Sequence, residues 1–213
     1  MNSEGIGFQD MSHAFLKGFQ AQNIYHNVEG WLSKPEGFLL YLYSYMNNLG
    51  ETVEIGSFKG KSTCYLATAI RDSGRKEKVN AIDPHTGSPE FKLGEKYGGA
   101  GIWDGNSFKD FMKTLEEHKL TELVNPIVKT SDYPVKDWKG DIGLLFIDGD
   151  HAYEIARNDF INWTKFIPIG GTVMLHDTVT WKGPKAVVDE LIDGNPKWIS
   201  FRVDSLTVAT RIK

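Results

Sequence analysis

Thr52-Val53-Glu54-Ile55-Gly56-Ser57-Phe58-Lys59-Gly60-Lys61-Ser62 is the stretch on which the reading of this chain turns. Residues 52–55 are β-branched or apolar apart from Glu54, a pattern that predicts a short strand. Gly56 lets the chain turn sharply, and Gly60 lets a backbone approach a ligand where a helix over 61–71 begins. A strand that runs through a glycine turn into a helix is the opening unit of an α/β sheet, whose ligands bind beyond the carboxyl ends of its strands.

Working outward, the same alternation continues. A second strand is expected at 78–82, ending in Asp83, then a helix at 107–118 and a third strand at 123–128. Residues 142–147 are apolar at nearly every position, as a strand covered on both faces should be. A helix follows at 153–166, anchored by Ile155, Phe160, Trp163 and Phe166; a fifth strand lies at 172–175 and another helix at 185–192. The last two strands, 198–203 and 206–212, are separated only by Asp204-Ser205 and must form an antiparallel hairpin. The expected fold is therefore α/β, with a mostly parallel sheet covered by helices on both faces and finished by a C-terminal hairpin. Residues 8–50 read as helical, with Phe38, Leu42, Tyr45, Met46 and Leu49 on one face after Pro35. Residues 1–50 are thus expected to be an N-terminal helical extension, a cap or a homodimer contact, on a main domain at 51–213.

Composition narrows the partners. A net charge of −4, with no run of Lys or Arg to track a phosphate backbone, argues against nucleic acid. Twelve Phe, eight Tyr and six Trp supply core and also suit a pocket that holds planar groups. The lone cysteine, Cys64, excludes an intrachain disulfide and a cysteine-based zinc site, and falls on the apolar side of its helix as core filler. No apolar run approaches the ~18 residues of a membrane span, and no basic-then-apolar leader is seen, so a soluble cytoplasmic protein without a membrane partner is expected.

The glycine loop also discriminates between ligands. Its spacing, G-x-x-x-G-K-S, is one residue short of the phosphate loop G-x-x-x-x-G-K-[ST], and G-x-G-x-x-G is absent. Glu54 at the strand end would repel a pyrophosphate but attract a cation, and S-adenosylmethionine carries a sulfonium and an ammonium. Asp83, at the end of the next strand, suits both ribose hydroxyls. Thr130-Ser131-Asp132, after the third strand, could pair with the adenine edge. Each feature alone reads equally as a turn, but three at successive strand ends favour an adenosyl ligand.

Asp148-Gly149-Asp150-His151 follows the fourth strand and His176-Asp177 the fifth. If these strands are neighbours, their carboxylates converge. Hard oxygen ligands suit Mg²⁺, a cation would acidify a substrate hydroxyl, and His151, with an ordinary pKa of about 6.5, suits a general base. The blander reading makes Asp150 a cap for the next helix and His176-Asp177 a helix-start loop.

The glycine loop, Ile82-Asp-Pro-His-Thr-Gly-Ser88, Leu145-Phe-Ile-Asp-Gly-Asp-His-Ala-Tyr153 and Gly170-Gly-Thr-Val-Met-Leu-His-Asp177 together resemble a bacterial family of class I methyltransferases. That family is grouped with cephalosporin-hydroxylase-like and macrolide-sugar O-methyltransferases, and the resemblance spans about residues 28–195. It implies a Rossmann-like three-layer sandwich with seven strands and S-adenosylmethionine as donor. It places Glu54, Gly56, Phe58 and Ser62 at the donor's methionine end, Asp83 at the ribose, and Ser131 and Asp132 near adenine; Ser57 and Gly60 of the same loop are also expected to bind the donor. Asp148 would touch both donor and metal, with His176 and Asp177 as further metal ligands. The catechol-type relatives carry a lysine base where His151 stands here, and oxygen-based sites offer a carboxylate or amide where His176 stands. The expected activity is O-methylation of a small hydroxylated acceptor, such as a sugar. The alternatives are a metal-independent transferase using His151 or His176, a non-catalytic S-adenosylmethionine-binding protein, or a metal-dependent oxygenase-like enzyme. Residues 8–34 and 86–106 are the expected seat of acceptor specificity, the latter as a lid.

Overall fold

The computed structural model describes residues 8–86 and 106–213; the expected lid at 86–106 lies almost wholly outside them. Helices α1 (Phe8–Tyr25) and α2 (Lys34–Met46) precede strand β1 (Glu51–Ile55), helix α3 (Lys61–Asp72) and strand β2 (Val79–Ile82). Helix α4 (Phe108–Glu117) leads to β3 (Val124–Ile127) and β4 (Ile142–Ile147). Helix α5 (Tyr153–Thr164), strand β5 (Thr172–Leu175) and helix α6 (Lys182–Leu191) precede the terminal pair β6 (Trp198–Val203) and β7 (Leu206–Arg211).

The seven strands form one sheet in the order β3-β2-β1-β4-β5-β7-β6. The first five are parallel, and β7 runs antiparallel to both β5 and β6, so the expected Rossmann-like sheet with its closing hairpin is present. The order reverses between β1 and β4, the position at which a sheet of this kind opens a crevice.

Period-2 alternation along β4 feeds both faces. Leu144 and Phe146 join Leu40, Tyr41, Tyr65, Leu66 and Phe111 under α1–α4. Leu145 and Ile147 join Phe160, Trp163, Val173 and Val187 under α5 and α6. Cys64 is a buried free thiol in the first of these cores, as expected of filler. No helix of the described residues is long and apolar enough to cross a membrane.

Three local expectations need correction. Helix α2 ends at Met46, so Leu49 leaves the helical face and is exposed. The most deeply buried face of α2 is Gly37, Leu40, Tyr41 and Ser44, where Gly37 abuts the Tyr65 ring and Ser44 Oγ donates to the Leu66 carbonyl. Helix α6 starts at Lys182 rather than 185, because Pro184 falls in the first turn, where no intrahelical donor is lost.

Gly56 is a point of close backbone approach on the sheet's carboxyl edge. Its φ is +87°, and a Cβ there would stand 2.1 Å from the Asp148 carbonyl oxygen. Gly56→Ala should therefore cost about 3 kcal/mol through strain and overpacking. Urea denaturation checks this; a change under about 1 kcal/mol would mean that the two loops part easily.

Candidate active site

Backbone bonds carry the parallel ladder one step past the strands. Asp83 N–H donates to Ile127 O, Gly56 N–H to Ile82 O, Asp148 N–H to Ile55 O and His176 N–H to Ile147 O, at 3.2, 2.9, 2.8 and 3.0 Å. The side chains of Asp83, Asp148, His176 and Asp177 are thereby delivered to one rim. Beside them lies a cavity of about 370 Å³ lined by Gly56–Phe58, Ser62, Asp83, Ser131, Asp148–His151, Asp159 and His176–Asp177.

At the glycine loop, Asp83 accepts the N–H groups of Ser57 and Phe58 on Oδ2, both at 2.8 Å, and that of His85 on Oδ1 at 2.6 Å. The carboxylate expected at a ribose thus also shapes the loop, holding Phe58 at φ +45°. Phe58 packs on Trp31 at 5.5 Å, and Glu29 to Leu32 bring part of the N-terminal segment into the cavity wall. Gly60, at φ +90°, caps α3 and faces Phe111 and Thr114 rather than the cavity. Glu54 is fully buried behind the loop and accepts from Thr63 Oγ1 at 2.5 Å. Burial pushes its pKa up to about 7, against the hydrogen bond from Thr63 and the nearby Ser62 and Ser57 hydroxyls.

At the other end, five ionisable groups meet. His176 is buried, with Nδ1 2.9 Å from Asp148 Oδ1 and 3.5 Å from Asp177 Oδ2, and Nε2 3.3 Å from Glu36 Oε2. Burial alone would lower its pKa, but the three carboxylates outweigh this and hold it well above the ordinary imidazole range. In return, burial of Asp177 is overridden by the His151 and His176 rings beside it, which hold its carboxyl well below the usual range. His151 Nε2 lies 3.0 Å from Asp177 Oδ2, and its ring stacks on Trp181 at 4.2 Å. Asp177 holds this position at φ +58°, backbone strain of the kind that collects at functional sites.

The groups whose ligand atoms gather differ in one member from the expected Asp148, His176 and Asp177. Ligand atoms of Asp148, His151 and Asp177 lie within 4.8 Å of one another. His176, expected among the ligands, instead spends both ring nitrogens on carboxylates. Asp132, expected near adenine, is exposed and outside the cavity wall, whereas its neighbour Ser131 lines it. Asp150 accepts the Ala152 N–H at 2.8 Å, an Asx turn just ahead of α5 rather than the expected cap, since the N-cap is Ala152 with no side-chain cap bond; it also lines the cavity.

Two groups had no place in the expected site. Glu36 sits in the N-terminal helix α2, and its only sequence signal is the capping box Ser33-Lys-Pro-Glu36, which the structure forms. Its Oε1 accepts the Ser205 N–H at 2.8 Å, which ties the hairpin turn to the same cluster. Asp159 lies in mid-helix, where no motif marks it.

The parallel sheet reverses at β1/β4 and opens one cavity there, shared by the glycine loop and the carboxylate–histidine cluster. Residues 53–178 match the family described as a methyltransferase domain, and the chain belongs to that family. Among solved structures it is similar to the O-methyltransferase TomG from Streptomyces achromogenes, involved in tomaymycin synthesis and seen with S-adenosylmethionine. That match has 18% identity and a TM-score of 0.63, covering 94% of this chain and 90% of the other. The O-methyltransferase NovP matches at 19% identity and a TM-score of 0.67, over 91% and 80% of the two chains. An O-methyltransferase from Bacillus cereus, in complex with the demethylated donor, matches at 17% and 0.60, over 94% and 90%.

Glu54 yields a test of these electrostatics. Its folded pKa lies above the unfolded value, so the cost of ionising it grows as pH rises from about 4.5 to about 7 and stands in full above that. Glu54→Gln, which keeps an acceptor for Thr63, should stabilise the ligand-free protein by about 2–3 kcal/mol at pH 8. The gain should narrow at pH 5. Equal gains at both pH values would show that the carboxylate is not strained.

Proposed function

We propose that this protein transfers a methyl group from S-adenosylmethionine to a hydroxyl of a small acceptor. The observation that carries the reading is the single cavity joining the glycine loop and Asp83 to Asp148, His151 and Asp177. Under this reading the donor's amino-acid end lies at Gly56, Ser57, Phe58 and Ser62, its ribose at Asp83, and its sulfonium towards Asp148. Buried Glu54 adds negative potential behind the loop, which favours a cationic ligand over a phosphate. The O-methyltransferase neighbours supply the choice of an oxygen acceptor.

The acceptor oxygen attacks the methyl carbon in line, and the carbon–sulfur bond breaks with its electron pair staying on sulfur. The hydroxyl proton passes to His151. Asp177 orients that ring through the 3.0 Å contact, and stacking on Trp181 fixes its plane. His176, already pinned between Asp148 and Glu36, serves as a fixed positive group that holds the carboxylates in place.

A second reading adds a divalent cation. Two carboxylates and one imidazole from Asp148, His151 and Asp177 fit such an ion, which would lower the pKa of a bound hydroxyl. The donor set counts against an iron oxygenase site of the two-histidine type, since His176 has both nitrogens engaged.

Calorimetry with S-adenosylmethionine and its demethylated product, followed by transfer assays on hydroxylated acceptors, tests the proposal. Binding of both and turnover of at least one acceptor is expected; no binding of either overturns it, and binding without turnover makes the protein a non-catalytic binder. His151→Ala should lower kcat by about 10²–10⁴ while leaving product affinity nearly unchanged. Activity that survives EDTA leaves proton transfer to the His151–Asp177 pair, whereas activity lost to EDTA and restored by Mg²⁺ places an ion at the trio.

A further inference from the structure

One buried acid in the cavity wall has no part in that chemistry. Asp159 projects from the second turn of α5 and is only 5% exposed, yet it lines the cavity. Its Oδ1 accepts a hydrogen bond from Ser131 Oγ, in the loop after β3. Among the described residues no hydrogen bond reaches Oδ2, which lies 3.6 Å from where a Cβ on Gly149 would stand. Burial raises the pKa of this carboxyl to about 6, with Asp150 and Asp132 adding to the rise. At pH 8 the group is therefore a buried anion with one donor on one oxygen, and such a group calls for a further donor.

Topology says what part of a ligand would meet it. Across the rim, Asp148 marks the β4 end, the glycine loop β1, Asp83 β2 and Ser131 β3. A donor whose methyl lies at Asp148 and whose ribose lies at Asp83 directs its base towards Ser131 and the Asp159 that Ser131 contacts. The exocyclic amine of adenine offers two N–H groups; a 6-oxo purine in its place would set a carbonyl oxygen against the carboxylate.

We propose that Asp159, braced by Ser131, is the residue that reads the adenine amine and so selects the adenosyl form of the donor. The proposal rests on the donor reading above. It reassigns base recognition from Asp132, which is exposed, to an acid in the following helix.

The test is calorimetry at pH 8 with S-adenosylhomocysteine and S-inosylhomocysteine, which differ at the 6-position, amine against carbonyl, and in the N1 proton that the 6-oxo form carries. Wild-type protein should prefer the adenosyl compound by about 10–100-fold, the range of a charge-assisted hydrogen bond. Asp159→Asn, whose amide can donate to the 6-oxo group, should collapse the preference to near unity, while Asp132→Asn should leave it intact. Asp159→Ser, which keeps a partner for Ser131, should collapse it likewise and covers the case in which the Asn variant does not fold. A brace between helix and loop alone would lower the melting temperature of these variants without changing the ratio. An unchanged ratio in a folded Asp159 variant, or no preference in wild type, overturns the proposal. Failure of wild type to bind either compound would instead sink the donor reading itself.

Discussion

The site depends on how closely two loops approach beyond the sheet. Gly56 turns against the Asp148 carbonyl with no room for a side chain, and Asp148 N–H donates to Ile55 O. Because β1 and β4 meet at backbone distance, the glycine loop and the acidic loop share one cavity wall. A larger residue at 56 would wedge them apart and separate the donor end of the cavity from its ionisable end. The remaining strand-end bonds, from Asp83 and His176, extend the same edge to β3 and β5.

Electrostatics hold what the backbone has assembled. A buried imidazolium is costly alone, as are buried carboxylates, but His176 among Asp148, Asp177 and Glu36 gives each charge a partner. The arrangement draws on β4, β5 and the N-terminal helix α2, so the helices before β1 are built into the site. Glu36 makes this concrete: one carboxylate faces His176, completes the cap of α2 and accepts from the hairpin turn at Ser205. Such a cluster is fixed before any ligand arrives, which is what electrostatic catalysis requires.

Much of this was legible in the sequence, and the reasons are local. The strands at 142–147 and 172–175 fall where the apolar runs placed them, because strands buried on both faces leave no room for polar breaks. The two-residue link at Asp204-Ser205 dictated the hairpin. The start of α6 was hidden because Gly183 and Pro184 read as breakers, whereas Pro is tolerated in a first turn; Gly183 is there because a Cβ would strike the His151 carbonyl. At the site, loop residues that follow strands announce themselves, so Asp83, Asp148, His151 and Asp177 could be picked out. Helix residues do not. Glu36 carries only a capping-box signal and Asp159 none, and only the packing of α2 and α5 turns them inward. Asp132 is exposed where Ser131 lines the cavity, and nothing in the sequence says which of two adjacent polar residues faces inward.

On the proposed reading, the cavity is a donor site in which the methyl-bearing sulfur faces the carboxylate–histidine cluster. A crystal structure of the protein soaked with S-adenosylhomocysteine tests it most directly. The ribose hydroxyls are expected on Asp83, the amino-acid end against Gly56–Phe58, and the sulfur on the side of Asp148 and His151. Density for the ligand elsewhere, or in the same cavity with the sulfur turned away from Asp148, would contradict it.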